Sequence, residues 1–134
     1  VTSILLPIHV NLDSSEPIYH QIKQQLRDLI ISGQLPPGTP LPSIRSLAKD
    51  MSCSVITTRR AYQDLEHEGL IYTRQGRGTF VAEVETEQSI KYKEITIKQA
   101  LMEAIQTAIR LQYPQDKLEK LFQNLCDESF NQKK

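Results

Sequence analysis

Excess charge, cysteine and long apolar runs are scarce in this chain. Its 134 residues carry 16 basic and 16 acidic side chains, for a formal net charge of zero. Bulk charge therefore gives no support to nucleic-acid binding, and a mixed, solvated surface accounts for it equally well. No apolar run approaches the roughly 20 residues of a membrane span, and residues 1–10 lack the layout of a signal peptide. Only two cysteines, Cys53 and Cys126, occur, and the expectation is reduced thiols acting as small apolar groups in a cytoplasmic protein. His9, His20 and His67 stand too far apart for ligand spacing, so neither a metal site nor a cofactor is expected. No glycine-rich loop opens a helix as a phosphate-binding loop does, and no Ser, His and acid set stands out. The chain does not read as an enzyme.

What is present is a folded composition, 39% hydrophobic and 24% charged, in a length that suits one domain or a small domain with an appended helical piece. The stretch from residue 41 to residue 62, LPSIRSLAKDMSCSVITTRRAY, organises the rest. Ser43 follows Pro42 as an N-cap, and Leu47, Ala48 and Met51 supply the inward face of a short helix. Ser52-Cys53-Ser54 makes the break, with Ser54 capping a second helix. Thr58, Ala61, Tyr62 and Leu65 recur at i, i+3, i+4 and i+7, which gives that helix one buried stripe. Val55, Ile56, Arg59, Arg60 and Gln63 fall mostly on the other side. A helix offering cations and small side chains near its N-terminus suits a DNA major groove.

Local charge agrees. Arg45, Lys49, Arg59 and Arg60 face only Asp50 between residues 41 and 61, Arg74 and Arg77 have no acid between residues 70 and 81, and Asp64, Glu66 and Glu68 gather at the far end of the second helix. That polarity turns one end of the helix toward phosphate.

Upstream, Ile8-His9-Val10-Asn11-Leu12 alternates as a short strand does, and Asp13-Ser14-Ser15-Glu16 is turn and cap chemistry ahead of Pro17. Ile18, Ile22, Leu26, Leu29 and Ile30 mark an amphipathic helix that stops at Gly33. GQLPPGTPLP is too rich in Pro and Gly for a helix or a central strand and reads as a rigid extended loop. Downstream, Gly69 closes the second helix, and two β-rich runs, residues 70–74 and 79–81, flank Gln75-Gly76-Arg77-Gly78 as a hairpin. A basic, glycine-hinged hairpin after a helix-turn-helix is the layout of a wing, and Arg77 suits a narrow minor groove.

Residues 82–94 are polar and acidic without a clear period and read as a linker. Ile97, Leu101, Ala104, Ile105, Ala108 and Ile109 then repeat at helical spacing, and Pro114 opens another helix with the stripe Leu118, Leu121, Phe122 and Leu125. Two such helices have little core of their own and must pack on the first domain or on a second copy. Self-association is the favoured reading, because a two-fold dimer places two reading helices one DNA turn apart; an intramolecular lid is the alternative. The expected fold is therefore mainly α with a small β hairpin. A winged helix-turn-helix spans residues 8–82, and residues 83–134 hold a linker and a C-terminal two-helix dimerisation hairpin.

These residues resemble the GntR family of bacterial transcription regulators. The matching pieces are Pro17-Ile18-Tyr19-His20-Gln21-Ile22, Gly33-Gln34-Leu35-Pro36-Pro37-Gly38, Leu41-Pro42-Ser43-Ile44-Arg45-Ser46-Leu47-Ala48, Thr57 through Leu65, Glu68-Gly69-Leu70-Ile71 and Gly76-Arg77-Gly78-Thr79-Phe80-Val81, in the family's order across about residues 16–82. The short tail resembles the YtrA-like branch, in which two helices dimerise and no separate sensor domain follows. The resemblance implies a homodimeric repressor on a pseudo-palindromic double-stranded DNA operator, in that branch often of a transport operon. It assigns DNA contacts to Ser43 and Arg45, to Ser54, Val55, Ile56, Thr57 and Arg59, and to the wing tip, Gln75, Gly76 and Arg77. No small-molecule effector is legible.

Five positions depart from the pattern: Ser52-Cys53 replaces a common Gly-Val, Val55-Ile56 stands where polar residues or Arg are frequent, and Thr58 where Val is frequent. Val55 and Ile56 donate no hydrogen bond to a base edge, but an aliphatic packs on a thymine methyl group. A winged helix used only for protein contacts is the rival reading; it needs the Thr58-to-Leu65 stripe but not Arg45, Arg59 and Arg77.

Overall fold

The computed structural model describes residues 6–131, which form five helices and one small sheet. In chain order these are α1 (Ile18–Ile31), β1 (Pro40–Leu41), α2 (Ile44–Asp50), α3 (Val55–His67), β2 (Ile71–Arg74), β3 (Gly78–Val81), α4 (Thr86–Arg110) and α5 (Gln115–Asn131). The chain divides into two compact units, Val1–Ile90 and Lys91–Lys134. Among the described residues no helix is long and apolar enough to cross a membrane.

The first unit has its core where α1, α2 and α3 meet the sheet. Ile22, Leu26, Leu47, Leu65, Val81 and Thr58 are its largest fully buried side chains. The spacing-derived stripe of α3 is the buried one, Thr58, Ala61, Tyr62 and Leu65. On α2, Leu47 and Ala48 are buried, whereas Met51 is half-buried and caps the helix. Both expected serine caps are formed: Ser43 Oγ accepts from Ser46 N at 3.0 Å and Ser54 Oγ from Thr57 N at 3.0 Å. Each satisfies a backbone donor that the first helical turn leaves orphaned.

Helices α2, α3 and α4 close in the same way, with a left-handed residue one place beyond the cap. In α3 that residue is Gly69, and Leu70 N returns to Leu65 O at 3.0 Å; in α2 it is Ser52, at φ 54°, and Cys53 N returns to Ala48 O at 3.0 Å. In α4 it is Gln112, at φ 57°, with Tyr113 N on Ala108 O at 2.8 Å. The Cβ of a serine costs roughly 1–2 kcal/mol in this region, against roughly 0.5–1 kcal/mol for the extra freedom of an unfolded glycine. Ser52→Gly is therefore expected to stabilise the first unit by about 0.5–1 kcal/mol, read as a higher urea midpoint at unchanged m-value. A lowered midpoint would show that the serine side chain holds the turn.

The sheet is antiparallel in the order β1-β3-β2, with Ile71 opposite Val81 and Tyr72 opposite Phe80. Strand β1 is an addition to the expected hairpin: Pro40 pairs with Phe80 and Leu41 with Thr79. Proline survives there because β1 is an edge strand, where no inward N–H is required.

Two expectations fail. Residues 8–12 form no strand. Ile8 is buried, as is Leu6 just ahead of it, but Val10 is half-buried and Leu12 is exposed, and the neighbour is a helix. Side-chain amides of α1 stand in for a partner strand. Gln25 accepts from His9 N at 2.9 Å and donates to His9 O at 2.6 Å. Gln21 accepts from Asn11 N at 2.7 Å and donates to Asn11 O at 3.0 Å and Glu16 O at 2.9 Å. The second failure is the linker, since α4 already begins at Thr86 within residues 82–94. Glu, Gln and Lys in that stretch are good helix formers, and a solvated helix needs no apolar period.

In the second unit α4 and α5 share a small apolar contact. Ala108 is buried and Leu118 half-buried, while Ile97, Leu101, Ala104, Ile105, Leu121, Phe122 and Leu125 are exposed. A groove of about 370 Å³ runs between Leu101, Ala104 and Ile105 on one helix and Leu118 and Phe122 on the other.

Candidate nucleic-acid interface

Three segments of the first unit carry the residues that the sequence singles out. The first is the opening turn of α2. Ser43 is exposed and its hydroxyl is committed to Ser46 N, while Arg45, the second residue of the helix, projects into solvent. The second is the opening turn of α3. Here Ser54 Oγ accepts from Thr57 N and donates to Thr57 Oγ1 at 2.8 Å, so the Ser54 hydroxyl is spent on the cap while Thr57 keeps its own O–H. Val55 and Thr57 are half-buried, whereas Ile56 and Arg59 are exposed. The third is the tip of the β2–β3 hairpin, where Gln75, Gly76 and Arg77 are all exposed. Arg77 N returns to Arg74 O at 2.9 Å, closing a turn whose third residue, Gly76, has φ 79°. A β-turn with positive φ there admits glycine at no steric cost, and the bare backbone is left open to a ligand.

Apart from Lys49, exposed in the last turn of α2, the cations of the first unit fall into two groups. Lys23 reaches Asp64 at 3.5 Å and Glu68 at 3.6 Å, and Arg27 Nη2 holds both oxygens of Glu68 at 2.5 and 2.7 Å. Arg60 lies over the Tyr19 ring at 3.7 Å, and Arg74 over Tyr72, which itself stacks on Phe80. These four serve the fold. Among the described residues, Arg45, Arg59 and Arg77 have no carboxylate within ion-pair distance and no ring beneath them. The acids at the far end of α3 are likewise engaged: Asp64 and Glu68 with α1, and Glu66 with Thr73 N at 3.3 Å. Behind α3 the cations are thus neutralised in pairs, while the guanidinium groups of Arg45, Arg59 and Arg77 are uncompensated. Sequence reasoning put Arg60 with Arg59; their 100° separation on the helix, and Tyr19 on α1, set them apart.

The scaffold behind these segments is held by contacts that sequence reasoning missed. Tyr62 donates its hydroxyl to Pro42 O at 2.7 Å, tying α3 to the entry of α2. Burial pushes the Tyr62 phenol well above its ordinary value, so it remains a donor throughout the physiological range. Thr58 Oγ1 donates to Ser54 O at 3.2 Å and lies 3.3 Å from Cys53 Sγ, which gives a buried hydroxyl its partners at a position where an aliphatic is frequent. Among the described residues no group of three or more His, Cys, Asp or Glu is placed to hold a metal ion.

A capped two-helix turn followed by a β hairpin, which β1 ahead of the turn completes to a three-stranded antiparallel sheet, defines a winged helix-turn-helix, the fold of a DNA-binding regulator rather than an enzyme. The chain belongs to the GntR family: residues 18–81 match the family described as bacterial regulatory proteins, gntR family. It is 40% identical over 114 residues to the HTH-type transcriptional repressor YtrA of Bacillus subtilis, covering 85% of each chain. Among solved structures it resembles a GntR family transcriptional regulator from Listeria monocytogenes, with TM-score 0.67 and 31% identity over 84% of this chain and 98% of that one. It also resembles the DNA-binding domain of AraR in complex with operator ORX1, with TM-score 0.51 and 32% identity over 56% of this chain and 96% of that one.

Proposed function

We propose that the protein is a homodimeric repressor that occupies a pseudo-palindromic operator. Arg45 and the opening turn of α3, residues 54–59, enter the major groove of each half-site. Gly76 and Arg77 approach the flanking minor groove, and Gln75 the adjoining backbone. The observation that carries this reading is the division of cations: those that support the fold are paired, and those on the α2 turn, the α3 turn and the wing tip are free. A module that only bound protein has no need to keep three guanidinium groups uncompensated at these positions. The similar AraR domain is in complex with its operator, which supports the same use here.

Dimerisation is assigned to α4 and α5. On α4 the apolar residues cover far more than one seam: Ile97, Leu101 and Ile105 lie along one side, and Ile95, Met102 and Ile109 follow at a seven-residue spacing beside them. One antiparallel neighbour cannot cover so wide an arc, and a second copy of the same hairpin supplies the rest. Leu121, Phe122 and Leu125 on α5, all exposed, join that face. Blocking polymerase by occupancy, in a cytoplasmic protein and at a transport operon, follows the YtrA-like resemblance.

Selection of bound sequences from a random duplex pool, with the complex sized by sedimentation, tests the proposal. The expected result is an inverted repeat with half-sites about one helical turn apart and two chains per duplex. Affinity should fall linearly on a log–log plot against salt, with a slope of about −0.9 per neutralised phosphate. A pool that yields no enriched sequence, or binding indifferent to salt, would overturn the DNA-binding reading.

A further inference from the structure

We propose that the opening turn of α3 reads its operator through Ile56, by packing on the 5-methyl group of one thymine in each half-site; this rests on the DNA-binding reading above. Ile56 is 77% exposed, an extreme value for a branched aliphatic in the middle of a polar turn. Its immediate neighbours present less side chain to the groove. Ser54 Oγ donates to Thr57 Oγ1 at 2.8 Å and also caps Thr57 N, so Ser54 is committed to holding the turn, and the half-buried Thr57 keeps a single O–H to offer. Val55 is half-buried and has correspondingly less side chain to offer.

The chemistry of the groove then selects the base. In the major groove adenine, guanine and cytosine present hydrogen-bonding edges, which an isoleucine would desolvate without replacing their partners. Thymine alone presents a methyl group there, and contact with it removes apolar surface from water on both sides. Ile56 therefore contributes selection by shape and methyl contact, while hydrogen-bonded base recognition falls to Arg45, Arg59 and the Thr57 hydroxyl.

The test replaces each thymine of the selected operator with deoxyuridine, one position at a time, and measures affinity by fluorescence anisotropy at fixed salt. Deoxyuridine removes the methyl group and keeps every base-pairing atom. One position per half-site should weaken binding about three- to fivefold, the worth of one buried methyl group, with the other positions unchanged. In Ile56→Ala, whose folding is checked by circular dichroism and which leaves an exposed position helical, the thymine preference at that position should fall to near unity. Ile56→Val should retain part of it. Equal affinity for thymine and uracil at every position, or an undiminished preference in Ile56→Ala, overturns the inference while leaving operator binding standing. Failure to select any operator overturns the DNA-binding reading and this inference with it.

Discussion

Arg45→Ala is expected to weaken operator binding by about 1–3 kcal/mol, roughly 5- to 150-fold, with no matching loss of stability. The second half of that statement follows from the surroundings of the side chain. Arg45 is exposed, and the cap of its helix is made by Ser43 Oγ on Ser46 N, which truncation at position 45 leaves in place. Surface changes of this kind usually stay within about 0.5 kcal/mol of neutral. Arg60→Ala is the informative contrast. Its guanidinium lies over Tyr19 at 3.7 Å, so its removal should cost stability, about 0.5–1 kcal/mol, more than it costs base discrimination. Arg45→Lys separates two roles for the guanidinium: a lysine that restores affinity serves a phosphate, and one that does not has replaced a forked contact with a base. Unchanged operator affinity in a folded Arg45→Ala protein would remove this residue from the interface.

The double substitution Ile97→Glu with Leu125→Glu is expected to yield a monomer and to lower operator affinity by about 10²- to 10⁴-fold. That range is what is lost when two half-site contacts stop being intramolecular. These positions are chosen because they are 58% and 51% exposed in one protomer, so a carboxylate there costs the protomer's own packing little. Leu101 and Ile105 line the groove between α4 and α5, and substituting them would confuse loss of the hairpin with loss of the dimer. Sedimentation should move to the 15.3 kDa of a single chain. Unfolding of the first unit should be unaffected. A double variant that stays dimeric, or a monomer that binds the full operator as tightly as before, would sink the assignment.

Elements with a strong local period were legible from the residues. The α3 stripe, both serine caps, the glycine closure at residue 69 and the β2–β3 hairpin all stand where the pattern put them. What escaped depends on distant partners. Strand β1 is two residues long and exists only because β3 lies beside it, so the Pro-rich stretch could not announce it. The alternation at residues 8–12 holds only at its start, where Ile8 is buried, and fails at Leu12, which is 77% exposed; an amide ladder on a helix supplies the hydrogen bonds instead of a sheet. The division between Arg59 and Arg60 is also non-local, since Tyr19 lies some forty residues earlier. Residues 86–94 show the reverse case: helical preference without any apolar signature, which periodicity does not register.

The glutamine ladder sets the limits of a portable reader. The family match begins at residue 18, and a fragment trimmed to it would discard His9 and Asn11 and strand the buried amide of Gln21. It would also strip Leu6 and Ile8 from the hydrophobic interior and remove Ala82, whose N–H holds Leu70 O at 2.9 Å. Grafting this recognition surface onto a foreign oligomerisation module therefore calls for a cut ahead of Leu6, with the return end placed beyond Ala82.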